Sequence, residues 1–318
     1  MSALPITGQL LGSFKPSKRF SSKHGTRITS VDFDDTGEWC VTAGDDETIQ
    51  LYDCKRGKFV SEFVRALTID TRKLCTPRSM VFILRGLHII HRMFYTLLQR
   101  RMVCTAEWGN LLLIEDTLRY LSLHDNHYVR YFKGHKKQVI SLEVSPADEQ
   151  FLSAGLDDTV RLWNLNSASC QVPPPQIHTK HQGCLNIPSP SYASFDPTGI
   201  IFAVVSHPLS TLMLYDLRNY DKEPFSIFPI SDDPYLQNLS YPPRMPEFSR
   251  LEFSNDGKSI LVGTNGGVHY ILDAFAGGIK ARLIDHSPSN LPGLSSGDVC
   301  FTPDGRYVIG GKVLSRLC

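Results

Sequence analysis

The sequence predicts an all-β fold assembled from repeats, of the propeller or solenoid kind. One unit recurs along the chain: a strand ending in Phe-Asp or Phe-Ser, a turn, an apolar strand, a second turn, and an alternating strand closed by Asp or Asn. The turns carry Asp-Gly, Thr-Gly or their equivalents, which set the backbone conformations a tight reversal needs. The composition allows a real core, because 42% of the 318 residues are hydrophobic.

The first copy, DFDDTGEWCVTAGDDETIQLYD, covers 32–53, and the second, VSPADEQFLSAGLDDTVRLWN, covers 144–164. SFDPTGIIFAVVSHPLSTLMLYD covers 194–216, and FSNDGKSILVGTNGGVHYILD covers 253–273. A fifth, FTPDGRYVIGG, spans 301–311 and has the first half of the pattern. Within each, residues 39–43 or 200–205 read as the buried middle strand, and 159–163 as an alternating one.

These repeats resemble WD40 repeats. Gly134-His135 and Leu162-Trp163-Asn164 match the family's Gly-His and Trp-Asp marks, and Asp157 stands six residues before Trp163. The resemblance implies that His135, Ser153, Asp157 and Trp163 form the internal hydrogen-bond network of one blade, since a buried imidazole must pair both nitrogens. The other copies are degenerate: Tyr52, His124, Tyr215 and Leu272 stand where Trp163 stands. The expected fold is therefore an all-β WD40 β-propeller, with about seven blades in the family, incomplete here. The expected organisation is a single propeller domain over 1–318, truncated in its penultimate blade region, with an aberrant, helical insert around 65–114. In this family the ring closes through an N-terminal strand, expected here at 10–20.

Spacing locates the insert. His124 to Trp163 is 39 residues, an ordinary blade. Trp163 to Tyr215 is 52 and Tyr215 to Leu272 is 57, with the Pro-rich runs 172–190 and 229–246 as extended loops. Tyr52 to His124 is 72 residues, about 30 more than a blade needs.

The segment EDTLRYLSLHDNHYVRYFKGH, 115–135, is more specific than a generic blade. It closely resembles the WD-repeat subunit of the COMPASS (Set1-type) histone methyltransferase complexes, a yeast relative of which also serves the cleavage and polyadenylation machinery. LYDCKRGK, SFDPTGIIFA, LYDLRNYDKEPF and FSNDGKSILVGTNG support it, over most of 10–63 and 115–312. The resemblance implies a nuclear, non-catalytic scaffold for methylation of lysine four of histone three. Its implied partners are the catalytic methyltransferase subunit, other COMPASS subunits, the phosphorylated tail of RNA polymerase II and polyadenylation factor subunits. Direct sequence-specific nucleic-acid binding and membrane binding are not expected. A membrane-associated WD propeller and a ubiquitin-ligase substrate receptor are the alternatives.

Charge and motifs agree with a scaffold. Lys plus Arg number 33 against 32 for Asp plus Glu, so the net charge of +1 gives no bulk attraction to nucleic acid or anionic lipid. Eight scattered Cys read as the thiols of a reducing compartment, mostly buried. The start lacks a signal-peptide pattern, and no run approaches the roughly 20 apolar residues of a membrane span. No GxSxG, P-loop, HExxH or GxGxxG occurs, so no catalytic residue, metal or cofactor is expected. The paired carboxylates Asp45-Asp46 and Asp157-Asp158 read as turn chemistry, and Cys75, His88, His91 and Cys104 are too dispersed for a zinc site. The candidate partner contacts are His124, Asn126, Tyr128, Arg130, Lys133 and Lys136. Lys133, Lys136 and Lys137 flank Gly134-His135, where a solvated loop and a phosphopeptide-contacting patch are both readable.

SMVFILRGLHIIHRMFYTLLQR, 79–100, has its polar residues Arg85, His88, Arg92 and Gln99 on one helical stripe. It reads as a membrane-surface helix, as an amphipathic helix packed on the propeller, or as coding sequence in the wrong frame. Met80-Val81 must be ATG-GTN, so a one-base shift creates a Gly codon, and Met93-Phe94 likewise forces Val. Allowed codons elsewhere yield KYGVHLARFTHHSQNVLYASTKKN, a strand, turn and strand in the family's wording. Val103-Cys104 can encode an intron start and Ile114-Glu115 an intron end, and Val64-Arg65 and Pro77-Arg78 can do the same upstream. Retained introns are the preferred reading.

Overall fold

The computed structural model describes residues 7–15, 18–20, 28–33, 37–44, 48–64, 82–83, 95–104, 113–122, 127–166, 183–220, 222–237, 245–266, 268–284 and 299–310. The chain forms two compact units, Met1–Phe82 and Ile83–Cys318.

In the first unit, α1 (Gly8–Gly12) is one short helix. The Thr7 hydroxyl accepts the Leu10 N–H at 3.2 Å, and that N-cap stops the backbone from extending. This corrects the strand expected at 10–20: its described residues are helix, turn and irregular structure. Four strands follow, β1 (Ile28–Phe33), β2 (Trp39–Gly44), β3 (Thr48–Asp53) and β4 (Lys58–Val64), paired antiparallel in chain order. Val41, Ala43, Ile49 and Leu51 supply the buried part of this sheet. Asp53 Oδ1 accepts the Arg56 N–H at 2.7 Å and so closes the β3–β4 turn.

The next sheet comprises β5 (Phe82–Ile83), β6 (Tyr95–Cys104), β7 (Leu113–Ser122) and β8 (His127–His135). The helical reading of 65–114 is corrected where the backbone is described. Tyr95 pairs with Ser122 and the ladder runs without a break to Cys104 and Leu113, so 95–104 is strand. Long-range pairing with β7 overrides the helical spacing of the apolar residues. Residues 65–81, 84–94 and 105–112 lie outside the described set.

Three further four-stranded sheets complete most of the second unit. The first holds β9 (Val139–Val144), β10 (Gln150–Gly155), β11 (Thr159–Asn164) and β12 (Cys184–Asn186). The second holds β13 (Ser191–Phe195), β14 (Ile201–Ser206), β15 (Thr211–Asp216) and β16 (Ser226–Pro229). After α2 (Asp233–Leu236) the third holds β17 (Phe248–Phe253), β18 (Ser259–Thr264), β19 (Val268–Asp273) and β20 (Ile279–Ile284). A hairpin of β21 (Val299–Phe301) and β22 (Val308–Gly310) ends the described chain.

Each sheet is ordered by chain sequence, and the first strand of one lies beside the first strand of the next: β9 by β13, β13 by β17, β17 by β21. That is the blade arrangement of an all-β propeller. Middle strands such as β14 (IFAVVS) and β18 (SILVGT) are buried on both faces, because a sheet covers each side. Their β-branched runs follow from that double burial. Inter-sheet clusters result, one built around Phe195, Phe202 and Tyr215, another around Phe248, Ile260 and Tyr270.

The turns between first and second strands carry glycine with positive φ: Gly199 at 71°, Gly257 at 69° and Gly305 at 67°. Side chains would be strained there. At Gly199 space also matters, since an added Cβ would lie 2.7 Å from the Ala147 methyl carbon of the preceding sheet's turn.

Candidate functional site

The described residues that converge most closely lie at one end of the β9–β12 sheet. His135 ends β8, Ser153 sits in β10, Asp157 in the β10–β11 turn and Trp163 in β11. Four separate segments thus supply four side chains. The first is fixed by the strand of the preceding sheet, the others by the hairpin that pairs Phe151 with Trp163 and Ser153 with Arg161.

Trp163 donates its indole N–H to Ser153 Oγ at 2.7 Å. His135 Nε2 lies 2.7 Å from the same oxygen, and His135 Nδ1 lies 2.9 Å from Asp157 Oδ1. The carboxylate can only accept, so Nδ1 carries hydrogen. The seryl hydroxyl, already accepting from Trp163, then donates to Nε2. Every polar group in the chain from indole to carboxylate has a partner.

Asp157 is the collecting point. Its Oδ1 also accepts the Thr159 hydroxyl at 2.8 Å, and its Oδ2 accepts the Lys136 N–H at 2.9 Å. Burial by itself opposes ionisation of this carboxyl. The His135 hydrogen bond, with the donors of Lys136 and Thr159, outweighs burial and holds it well below the usual carboxylate range. Close packing needs glycine beside it: a Cβ on Gly155 would stand 2.6 Å from His135 Nδ1. A Cβ on Gly134 would stand 3.0 Å from the Trp163 ring.

The order Ser–His–Asp has the connectivity of a hydrolytic triad, but it is sealed. Ser153 is 0% exposed, and the indole N–H occupies its oxygen. Phe151 stacks on Trp163 with rings 5.9 Å apart and 11° from parallel, and Phe132 meets it edge-on. A substrate carbonyl has no approach. What the arrangement does is hold β8, the β9–β12 sheet and the following loop together. Asp158 extends this, accepting the Ser189 N–H at 2.8 Å and the Ser189 hydroxyl at 2.7 Å. These donors hold the Asp158 carboxyl below its ordinary range.

The other repeats fill the equivalent place differently. Tyr52, Tyr215 and Leu272 occupy the strand position of Trp163, opposite Cys40, Phe202 and Ile260. Phe202 and Tyr215 repeat the stacked pair, 5.2 Å apart and 12° from parallel. The register continues with Val204 opposite Met213, so an apolar pair stands where Ser153 and Arg161 stand in the β9–β12 sheet. Tyr52 donates to Gln50 Oε1 at 2.6 Å, and the Gln50 amide donates to Glu62 Oε2 at 3.1 Å.

The residues expected to contact a partner are not all brought together. His124 and Asn126 lie outside the described residues. Tyr128 belongs to β8, where its backbone pairs with Leu121. Arg130 is turned to the next sheet, donating to the Leu165 carbonyl at 2.8 Å. Lys133 and Lys136 are exposed on either side of Gly134-His135, with exposed Lys137 beyond. Arg161, whose Nε donates to Thr159 Oγ1 at 3.2 Å, adds a fourth cation beside Gly134. Sequence reading missed the bracing roles of Thr159, Asp158 and Ser189; the Asp-Asp-x turn was the available signal.

Among the described residues, no group of three or more His, Cys, Asp or Glu is placed to hold a metal, and no helix is long and apolar enough to cross a membrane. Of the four residues considered for zinc, Cys104 ends β6 and the rest lie outside the described set.

The WD domain, G-beta repeat family matches residues 14–53 and 126–164. An uncharacterized WD repeat-containing protein of Schizosaccharomyces pombe is 37% identical over 306 residues, 95% of this chain and 79% of the relative. The Set1 complex component swd2 of the same yeast is 34% identical over 324 residues, 100% of this chain and 78% of the relative. The COMPASS component SWD2 of Saccharomyces cerevisiae is 31% identical over 320 residues, 100% and 83% respectively.

Proposed function

Because the chain belongs to the WD40-repeat family of Set1 and COMPASS components, we propose that it is a non-catalytic scaffold subunit of a Set1-type histone methyltransferase complex. The observation that carries this is similarity along the full chain, at 34% and 31% identity, to two proteins named as components of that complex. The Ser153–His135–Asp157 connectivity supports a scaffold, because this triad-like set of side chains holds strands together and its seryl oxygen is fully buried.

In this reading the protein works in the nucleus, binding the catalytic methyltransferase subunit and its companions. It also links them to the phosphorylated tail of RNA polymerase II and takes part in mRNA 3′-end processing. The tail's phosphates would be met by Lys133 and Lys136, with His124, Asn126, Tyr128 and Arg130 completing the contact. Exposed lysines flanking a turn support this, since each supplies charge-assisted hydrogen bonds to phosphate. Affinity purification of the tagged chain from its own cells tests the proposal. Copurification of a SET-domain methyltransferase is expected. Recovery of ubiquitin-ligase subunits, or flotation with liposomes, would sink it.

We also propose that 65–114 is retained intron and frame-shifted coding sequence. A cDNA across 55–120 is expected to lack part of it, and transcripts that uniformly encode 65–114 would end the idea.

A further inference from the structure

Cys40 and Cys54 form a dithiol pair that the proposed scaffold role does not use. Cys40 is in β2, opposite Tyr52 of β3, and Trp39 is opposite Asp53. The next rung is Cys54, whose N–H donates to the Glu38 carbonyl at 2.8 Å. Cys54 therefore stands diagonal to Cys40 on the same face of the hairpin. The Cys54 thiol stands near enough to the Cys40 thiol to oppose its ionisation. Both are in the reduced form.

The two differ in access. Cys40 is 8% exposed. Burial, and next to it the neighbouring thiol, push its pKa up to about 12, so it is a poor first nucleophile. Cys54 is half-buried, at the mouth of the β3–β4 turn, followed by exposed Lys55 and Arg56. That turn is closed by side-chain contacts of Asp53 and by Gly57, and carries no core residue. It can yield the small movement that a diagonal pair needs to reach disulfide geometry.

We propose that Cys54 and Cys40 are a reversible peroxide-modification site, with Cys54 the attacked thiol and Cys40 the resolving one. The Cys54 thiolate attacks one oxygen of hydrogen peroxide; an S–O bond forms, the O–O bond breaks, and hydroxide leaves. The Cys40 sulfur then attacks the sulfenic sulfur; the S–S bond forms, the S–O bond breaks, and the oxygen departs with the Cys40 proton as water. In sum, two thiols and one peroxide give one disulfide and two waters. Dithiothreitol reverses the change.

No Lys or Arg lies between Arg27 and Lys55, so one tryptic peptide carries both cysteines. The folded full-length chain is treated with hydrogen peroxide, denatured, alkylated and digested. The 28–55 peptide is expected to lose two hydrogens and to refuse alkylation, and to regain both alkylatable thiols after dithiothreitol. In Cys40→Ser, dimedone should trap Cys54 as the sulfenic acid; in Cys54→Ser, Cys40 should remain alkylatable. The wild-type mass needs neither variant to fold. Two alkylatable thiols after treatment, sulfinic or sulfonic products without disulfide, or pairing with another cysteine would each overturn the proposal.

Discussion

His135 Nδ1 lies 2.9 Å from Asp157 Oδ1, and the two side chains are 1% and 4% exposed. The contact joins the last strand of one sheet to the hairpin of the next. The folded Asp157 carboxyl is held below its ordinary range, so ionised Asp157 stabilises the fold above the ordinary carboxylate pKa of about 3.9. That contribution is lost as pH falls from there through the folded value. Asp157→Asn should unfold at lower temperature than wild type near neutrality, and the two melting curves should converge in acid. Thermal melts from pH 7 downward check it.

Ser153→Ala leaves the Trp163 N–H and His135 Nε2 buried without their shared partner. Orphaned buried polar groups cost about 1–3 kcal/mol each. Urea unfolding should show a lower midpoint with an unchanged slope.

Asp158 has φ of 59° and holds Ser189 through its carboxylate. Asp158→Gly keeps the backbone comfortable but removes both acceptors. The expected result is local: faster hydrogen exchange at the Ser189 amide, with little change at β10 and β11.

Arg282 meets Asp232 through two hydrogen bonds of 2.5 and 2.6 Å, while the Asp232 side chain is 1% exposed. Arg282→Lys cannot reproduce a fork of two donors. It should lower the melting temperature nearly as much as Arg282→Ala, because each leaves the buried carboxylate under-paired. Equal stability of the lysine variant and wild type would refute this.

Lys133→Glu with Lys136→Glu should weaken binding of a phosphorylated polymerase-tail peptide about 10-fold or more and flatten its salt dependence, with no change in melting. Fluorescence anisotropy across a salt series reads both.

The repeat was legible because glycine turns and double-sided burial leave strong marks in residues such as Gly199, Gly257 and the IFAVVS of β14. The His135–Trp163 set was legible through the resemblance to WD40 repeats, whose Gly-His and Trp-Asp marks fall on Gly134-His135 and Trp163-Asn164. The degenerate repeats were not. Whether Tyr215 stacks or hydrogen-bonds depends on Phe202 and Met213, which reach it by strand register and by no local pattern. Residues 95–104 misled for the same reason: their spacing is helical, but β7 supplies the partners that decide. At 10–12, inside the strand expected over 10–20, the chain is instead in a short helix that the Thr7 hydroxyl caps.

Asp157 reaches back to His135 and Lys136, and its neighbour Asp158 reaches forward to Ser189. Adjacent carboxylates in one turn thus answer to the sheets before and after their own. In an array whose members also couple through packed faces, such a turn makes loss of one member a disturbance to both others. Fraying that starts at either side should halt there or carry through all three, giving this stretch of the chain a shared unfolding step where its repetitive plan would suggest independent ones.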